Sequence, residues 1–496
     1  MTTAPPNGSG RSPGLPSLDR LPGLRGLTVS SDPAPIFAET VRRTASRPAA
    51  PAQTAPRPAD LSGIDWALVY RIRYTVAERL ANAAGPLVDE ATRLQIGRDM
   101  IPDIVKEHSD NAVLAGDRDN QIANRDFERY RRAVDSAIFG YGRWQSLMDD
   151  PEVENIEIRG HDQVFMVYAD RIVPVAPVAD SDAELIEQLQ FITTYSKTPK
   201  PFSEAHPEMT LNLEDRFRLH AEAYSVVDRP SIVIRQHTFA GVPLERLCEL
   251  GMFPPHLVGF LAAAIRARQS VVISGNQGVG KTTFLRALAM AMDPLEAVGV
   301  IETDAELFLH KLPGRGRTVN YVARGASGEG IGADGQPLGQ FSVQRHLTAS
   351  LRQNLSRIIV GEVRDAEAAA MFQAMQSGAG SLSTIHAQHA EATIERLVTA
   401  AALGGVMTQV DAYRQIAVNI NLIVHLGAVD ERSQGGKYRR FVNEITEIDG
   451  FADTADGTSF MPATNSIYQV TDPNRPLDLT MSDHMKNALA AHGWQP

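Results

Sequence analysis

Thiols are nearly absent. Cys248 is the one cysteine among 496 residues, so neither an intramolecular disulfide nor a multi-thiolate zinc site can form. Such a chain suits a reducing cytoplasm. Aromatic residues are sparse, at 6%, and basic residues (48) are outnumbered by acidic ones (59), leaving a formal net charge of −11. A protein working mainly on nucleic acid would carry basic segments interleaved with aromatics. None stands out, so no nucleic-acid partner is expected. Long apolar runs are missing too. The longest, residues 257–265, is cut off by Arg266 and Arg268, well short of the roughly 20 residues that a membrane-crossing helix needs. No charged start followed by an apolar segment opens the chain. Direct membrane insertion is therefore not expected, and any membrane association must come through a partner.

Proline is unevenly spread. Eleven of the 30 prolines fall in the first sixty residues, among too few clustered apolar residues to offset ordering entropy, so residues 1–60 are expected to be a disordered tail. From there the periodicity changes. Leu68, Ile72, Val76 and Leu80 recur at helical spacing, and further helical segments over 88–108 and 126–140 complete a small helical module at 61–147. After the turn-like Met148-Asp149-Asp150-Pro151 the period becomes two, in VENIEIRG and QVFMVYADRIVPV. Helical 182–196 and the strand-like RFRLHAEAY and PSIVIRQ follow, making 148–240 an α+β domain. Residues 241–450 have the alternation of a doubly wound α/β domain, and 451–496 form a C-terminal extension. The Gly-rich stretch 324–339 is expected to be a solvated insertion.

The most specific motif is SGNQGVGKTTFLRAL, residues 274–288. It follows an apolar strand and opens a helix, the context that GxxxxGK[ST] needs to bind phosphate. Gly275, Gly278 and Gly280 let backbone amides turn inward around the phosphates, where the helix N-terminus adds its positive end. Lys281 would reach the β/γ-phosphates, and the Thr282 hydroxyl would ligate Mg²⁺. With Asn276, Gln277, Val279 and Thr283, these residues are the expected ATP-binding set.

Three later stretches bear on what the nucleotide does. VGVIETDAEL delivers Glu302, Asp304 and Glu306 at the C-terminal end of a strand, the edge where open α/β sheets bind ligands. A carboxylate there can deprotonate the attacking water. RIIVGEVRDAEA ends a buried strand in Gly361-Glu362, with glycine where the usual magnesium-associated aspartate would stand. SLSTIHAQHAEATIERL places His386 at a strand end, where it could sense the γ-phosphate. His389 has the blander reading of a structural histidine. Arg352, Arg357 and Arg364 flank the Gly-Glu strand and are as readily surface ion pairs as ligands.

In this order, GNQGVGKT, IETDAEL, RIIVGEVRDAEA and GSLSTIHA resemble the Walker A, Asp box, atypical Walker B and His box of the secretion ATPases, the motors of type II secretion, type IV pili and type IV secretion. The likeness covers about residues 148–425. DDPEVENIEIRGHDQVFMVYADRIV resembles the start of that family's N-terminal domain, and RFRLHAEAYSVVDRPSIVIRQ its arginine-bearing strands. With one cysteine the chain cannot build the tetracysteine module common in extension motors. The wording GSLSTIHA and IIVGEVR is most similar to the CpaF-type assembly ATPases of tight-adherence (Tad/Flp) pili. The resemblance implies a RecA-like P-loop ATPase domain behind a PAS-like α+β domain and a helical module. It also implies a homo-oligomer, a hexameric ring, that turns an inner-membrane platform protein from the cytoplasmic side. By position it makes Lys281 a phosphate ligand, Glu302 the leading candidate base, and Glu362 a group aligning water or Mg²⁺ (with Thr282). His386 would read the γ-phosphate, and Arg218 and Arg235 would neutralise phosphate charge. A RecA-like nucleic-acid translocase and a non-hydrolysing nucleotide-binding regulator are the rival classes.

Overall fold

A computed structural model describes residues 63–495, except 85–87, 196–199, 214–215, 238–240, 326–329, 332–336, 366, 377–379, 404, 406 and 453–459. The expected tail at 1–60 and most of the Gly-rich stretch 324–339 lie outside the described residues. The first helices are α1 (Trp66–Ala83), α2 (Glu90–Leu114), α3 (Phe127–Phe139) and a single turn, α4 (Gln145–Met148). Asp65 caps α1 by accepting the Leu68 amide, which satisfies one of the orphan donors of the first turn. The stripe Leu68, Ile72, Val76 and Leu80 is buried, and most of it joins Ile101, Ile104 and Val134 in one small core.

Next come β1 (Asn155–Arg159), β2 (Gln163–Val167), β3 (Ile172–Val175), α5 (Asp182–Tyr195), β4 (Glu208–Leu213), β5 (Phe217–Glu222) and β6 (Ser231–Gln236). The strands make a six-stranded sheet in the order β3-β2-β1-β6-β5-β4. Period-two alternation divides its faces. Phe217, Leu219, Ala221, Ile232 and Ile234 join Leu185 and Leu189 of α5 in a core. Arg218, His220, Val233 and Arg235 therefore point to the opposite face.

The second sheet is built from β7 (Val271–Gly275), β8 (Val298–Glu302), β9 (Thr318–Val322), β10 (Arg357–Val363), β11 (Leu382–His386), β12 (Leu422–Asp430), β13 (Tyr438–Phe451) and β14 (Pro462–Gln469). Its order is β14-β13-β12-β7-β11-β10-β8-β9. The six strands from β12 to β9 run parallel, β13 runs antiparallel to β12, and β14 antiparallel to β13. Strands β7 and β8 are buried at every position, as parallel strands covered on both faces must be. One face packs α6 (Leu244–Glu249), α7 (His256–Arg266), α8 (Lys281–Met290) and α13 (Asp483–Ala490); the other packs α9 (Val343–Ser350), α10 (Glu367–Gln376), α11 (Ala390–Leu403) and α12 (Gln409–Asn419).

The sheet does not stop at Gly450. Strand β14 pairs with β13, buried Glu447 accepts the Ser482 amide at 2.9 Å, and Trp494 meets Phe260 of α7 edge to face. Residues from 462 to 494 thus complete the same core. No helix among the described residues is long and apolar enough to cross a membrane.

Candidate nucleotide site at the carboxyl edge of the parallel sheet

Strands β7, β8, β10 and β11 end at one edge, bringing together Gly275, Glu302, Glu362 and His386, with His386 in register with Gly275. A cavity of about 430 Å³ opens there. Gln277, Gly278, Gly280, Lys281, Thr282, Glu302, Glu362 and His386 line it from the parallel sheet, and Arg218 and Arg235 line it from the six-stranded sheet. An adjoining cavity of about 1230 Å³ reaches Thr283, Arg286, Met252 and Tyr438. Asn276 contributes its carbonyl oxygen to Lys281, and Val279 is buried against the core.

The loop's glycines have distinct reasons. Gly278 and Gly280 have φ of +78° and +90°, the left-handed region that side chains disfavour. A Cβ on Gly275 would come 2.5 Å from the Leu426 carbonyl oxygen on β12. At the end of this cradle, the Lys281 ammonium donates to Gly275 O (3.0 Å) and Asn276 O (2.9 Å). Burial lowers its pKa to about 8. Lys281 Nζ is also 3.2 Å from His386 Nδ1. An ammonium can only donate, so Nδ1 accepts, and the imidazole proton sits on Nε2, 3.1 Å from Glu362 Oε1. The other Glu362 oxygen takes a bond from Arg364 at 2.7 Å. Burial works against ionisation of Glu362, yet His386 and Arg364 hold its pKa down at about 2.

The acid loop after β8 is built around Glu302. This residue is 4% exposed, and its Oε1 accepts the amides of Glu306 (3.0 Å) and Leu307 (2.9 Å). Its Oε2 is buried without a donor among the described residues. Burial pushes its pKa up to about 7. Phe308 closes the loop at φ +46°, a strained conformation for a bulky residue, and Arg286 of α8 donates to the Glu306 carbonyl.

Gly361 is explained by the same carboxyl group. A Cβ there would lie 2.9 Å from Glu302 Cγ and 3.3 Å from its Oε1, so the residue in the aspartate position must be glycine for Glu302 to fit. Gly361→Ala should therefore shift Glu302 and lower turnover tenfold to a hundredfold, on the order expected for a misplaced catalytic group. Retained nucleotide affinity, measured by fluorescence titration, would separate this from damage to the phosphate loop.

Arg218 and Arg235 stand directly opposite each other on β5 and β6, and like charges so placed repel. Counter-charge comes from the acid loop: Arg218 pairs with Asp304 at 2.7 Å and with Glu306 at 2.5 Å. Burial raises the Glu306 pKa, but the Arg235 and Arg218 guanidiniums outweigh it and the net shift is downward. Glu306 also accepts from the Thr282 hydroxyl at 3.2 Å. The carboxylate bonded to Thr282 is thus Glu306, and Glu362 is engaged elsewhere.

Among the flanking groups, His389 accepts the Ala392 amide at the start of α11, a helix-end role. Arg357 is buried on Glu296 and the Ile265 carbonyl, while Arg352 is exposed. Sequence reasoning did not single out Arg286 or, at the outer side of the loop, Arg440. Arg286 lies in the helical end of the quoted phosphate-loop stretch, where its residue type gives no hint of its partner, and Arg440 sits in no motif and is brought near only by the fold.

Residues 206–448 match the family described as "Type II/IV secretion system protein". The chain belongs to that family. Among its relatives, an uncharacterised protein of Methanocaldococcus jannaschii is 26% identical over 352 residues, 70% of this chain and 59% of the relative. The type IV secretion system protein PtlH of Bordetella pertussis is 31% identical over 194 residues, 38% of this chain and 53% of PtlH. The chain thus spans a little over half the length of these curated family members. Among solved structures, the Legionella pneumophila ATPase DotB aligns at 17% identity with a TM-score of 0.39, over 68% of this chain and 82% of that one.

Proposed function

We propose that this family member is an ATP-hydrolysing motor in which the six-stranded sheet and the parallel sheet close on one nucleotide. The observation that carries the reading is the ion pairing of Arg218 with Asp304 and Glu306 across the cavity that Lys281 also lines. Two opposed arginines require an anion between them and the phosphate loop. Without nucleotide, the acid loop supplies it; with ATP, phosphate oxygens compete for the same guanidiniums, whose planar fork suits them.

The residues also fit Mg²⁺. Among the described residues no cluster of three or more acidic, histidine or cysteine side chains forms a metal cage, and Mg²⁺ bound to nucleotide needs only one or two protein oxygens beside phosphate and water. Thr282, with Glu306 beside it, would supply them. Bound Mg²⁺ would offset phosphate charge. Glu302, with a pKa near neutrality and an oxygen left without a donor, is suited to take the proton from the water that attacks the γ-phosphorus. Lys281 and the arginines stabilise the charge that develops as ADP leaves, and His386 links Lys281 to Glu362. The adjoining cavity has room for ribose and base.

On this reading the protein is a homo-oligomer, a hexameric ring, working at the cytoplasmic face of a membrane on an integral-membrane platform protein of a pilus or secretion machine. The CpaF-like tight-adherence pilus role is its finest form. Neighbouring genes for small pilin-like and platform proteins would support that form, and light scattering would test the hexamer. Phosphate release by the purified protein, unchanged by single-stranded DNA, is the result expected. Stimulation by DNA would point to a nucleic-acid translocase, and no turnover to a regulator.

Arg218→Ala tests the two-sheet mechanism. It should lower turnover on the order of a hundredfold, as for lost transition-state charge stabilisation, while ADP affinity changes little; Arg235→Ala should do the same. Circular dichroism and size-exclusion chromatography would establish that fold and assembly persist. Full activity in both variants would leave the six-stranded sheet as a docking module only.

A further inference from the structure

The outer side of the phosphate loop is held by Arg440, a residue of β13 far from any motif. Its Nε donates to the Gly278 carbonyl at 3.0 Å. Its two terminal nitrogens form a fork on Glu154, at 3.0 and 2.7 Å. Glu154 stands immediately before β1 and is fixed in the six-stranded sheet: its amide donates to Val167 O at 2.8 Å and its carbonyl accepts the Gln236 amide at 3.0 Å. The hairpin of β12 and β13 meets the turn between β2 and β3 at two further points. The Tyr438 amide donates to Ala169 O at 2.9 Å, and Arg432 Nη1 donates to Tyr168 O at 3.3 Å. One guanidinium therefore joins the small sheet to the peptide that follows Gly278.

The orientation of that peptide matters. In a trans peptide the C=O and the next N–H point in opposite directions. Drawing the Gly278 carbonyl outward to Arg440 turns the Val279 N–H inward, where a phosphate-binding loop needs its donors. Gly278 and Gly280 flank this segment at positive φ, and glycines resist rotation of a peptide plane least. A charge-assisted bond is a strong restraint on such a plane. Arg440 itself keeps its direction because Glu154 holds both of its ends.

We propose that Arg440 is a positioning residue that sets the phosphate-binding conformation of the loop, and that its Glu154 anchor makes nucleotide affinity depend on how the six-stranded sheet is seated. The inference rests on the nucleotide reading of the loop. It goes further by assigning a second link between the sheets, lining the adjoining cavity and not the one that Arg218 lines. The pair touches no reacting atom, so it acts on binding: KM and the Kd for nucleotide rise, and kcat at saturation stays within about twofold of wild type.

The experiment is titration of a fluorescent ADP analogue, with steady-state ATP hydrolysis, on the full chain and on Arg440→Ala, Glu154→Gln, Arg440→Lys and the double variant Arg440→Ala/Glu154→Gln. Arg440→Ala should weaken binding about tenfold, on the order of a lost charged hydrogen bond. Glu154→Gln keeps the shape of a half-exposed side chain and should fold normally; it should weaken binding about threefold, since Arg440 loses its charged anchor. Arg440→Lys should recover part of the loss, because one ammonium can reach the carbonyl but cannot fork. In the double variant the effects should not add, since both act through one bond network. Wild-type affinity in both Arg440→Ala and Glu154→Gln, or fully additive losses, would overturn the coupling and leave the proposed motor intact. Absence of binding by the wild-type chain would overturn both.

Discussion

Lys281→Ala should abolish ATP turnover, by at least about a thousandfold, and weaken nucleotide binding with it. Without nucleotide the ammonium rests on two loop carbonyls and His386 Nδ1, and burial has already lowered its pKa to about 8. A buried cation held so close to its deprotonation point by uncharged acceptors gains from an anion, and β/γ-phosphate oxygens are that anion. Removing the ammonium leaves the phosphate charge without its buried counter-ion. Arg440 cannot substitute, being committed to Glu154 and the loop's outer side. Phosphate release checks the result, and unchanged turnover would sink the assignment of this loop to nucleotide.

Glu302→Gln should retain nucleotide yet lose hydrolysis by about two to four orders of magnitude, the span typical of a lost general base. The amide can still accept the Glu306 and Leu307 amides through its oxygen, so the acid loop keeps its course. What it cannot do is take a proton from water. The pH profile carries the sign. A carboxyl with pKa about 7 is a base only when ionised, so kcat/KM should rise with pH up to about 7. Lys281, with pKa about 8, loses its charge above that value, so activity should fall again. The expected profile is a narrow bell whose acid limb disappears in Glu302→Gln. Glu362→Gln tests the alternative: Glu362 is held ionised well below neutrality, so it cannot produce that acid limb. If Glu362→Gln alone loses hydrolysis and Glu302→Gln keeps full turnover, Glu302 is not the base and Glu362 takes that role.

Much of the local structure was legible because it depends on neighbours in the chain. The alternation in RFRLHAEAY put Arg218 and His220 on one face and Leu219 on the other, and the sheet keeps that division because a strand's period of two allows no other. Arg235 was named with it, but not as its direct neighbour. Register across β5 and β6 sets Arg218 opposite Arg235, and register follows from which residues are buried together. Helix α1 was visible in its four-residue spacing. The completion of the core by β14 and α13 was not, since the period of one short strand or helix does not say which sheet edge or helix it packs on.

By itself the sequence determined a loop with the chemistry to grip a phosphate, because closely spaced glycines, a lysine and a helix start lie together in the chain. It also set the order in which Glu302, Glu362 and His386 reach one sheet edge, because each ends a buried strand of a parallel sheet. Only the tertiary structure decided their partners. Arg218 meets Asp304 across 86 residues of chain and Arg440 meets Glu154 across 286; no periodicity reaches that far, and an ion pair forms wherever packing leaves two charges within reach. Gly361 shows the same division. Its identity was plain in the sequence, but its reason, the space taken by the Glu302 side chain, exists only once β8 and β10 lie side by side.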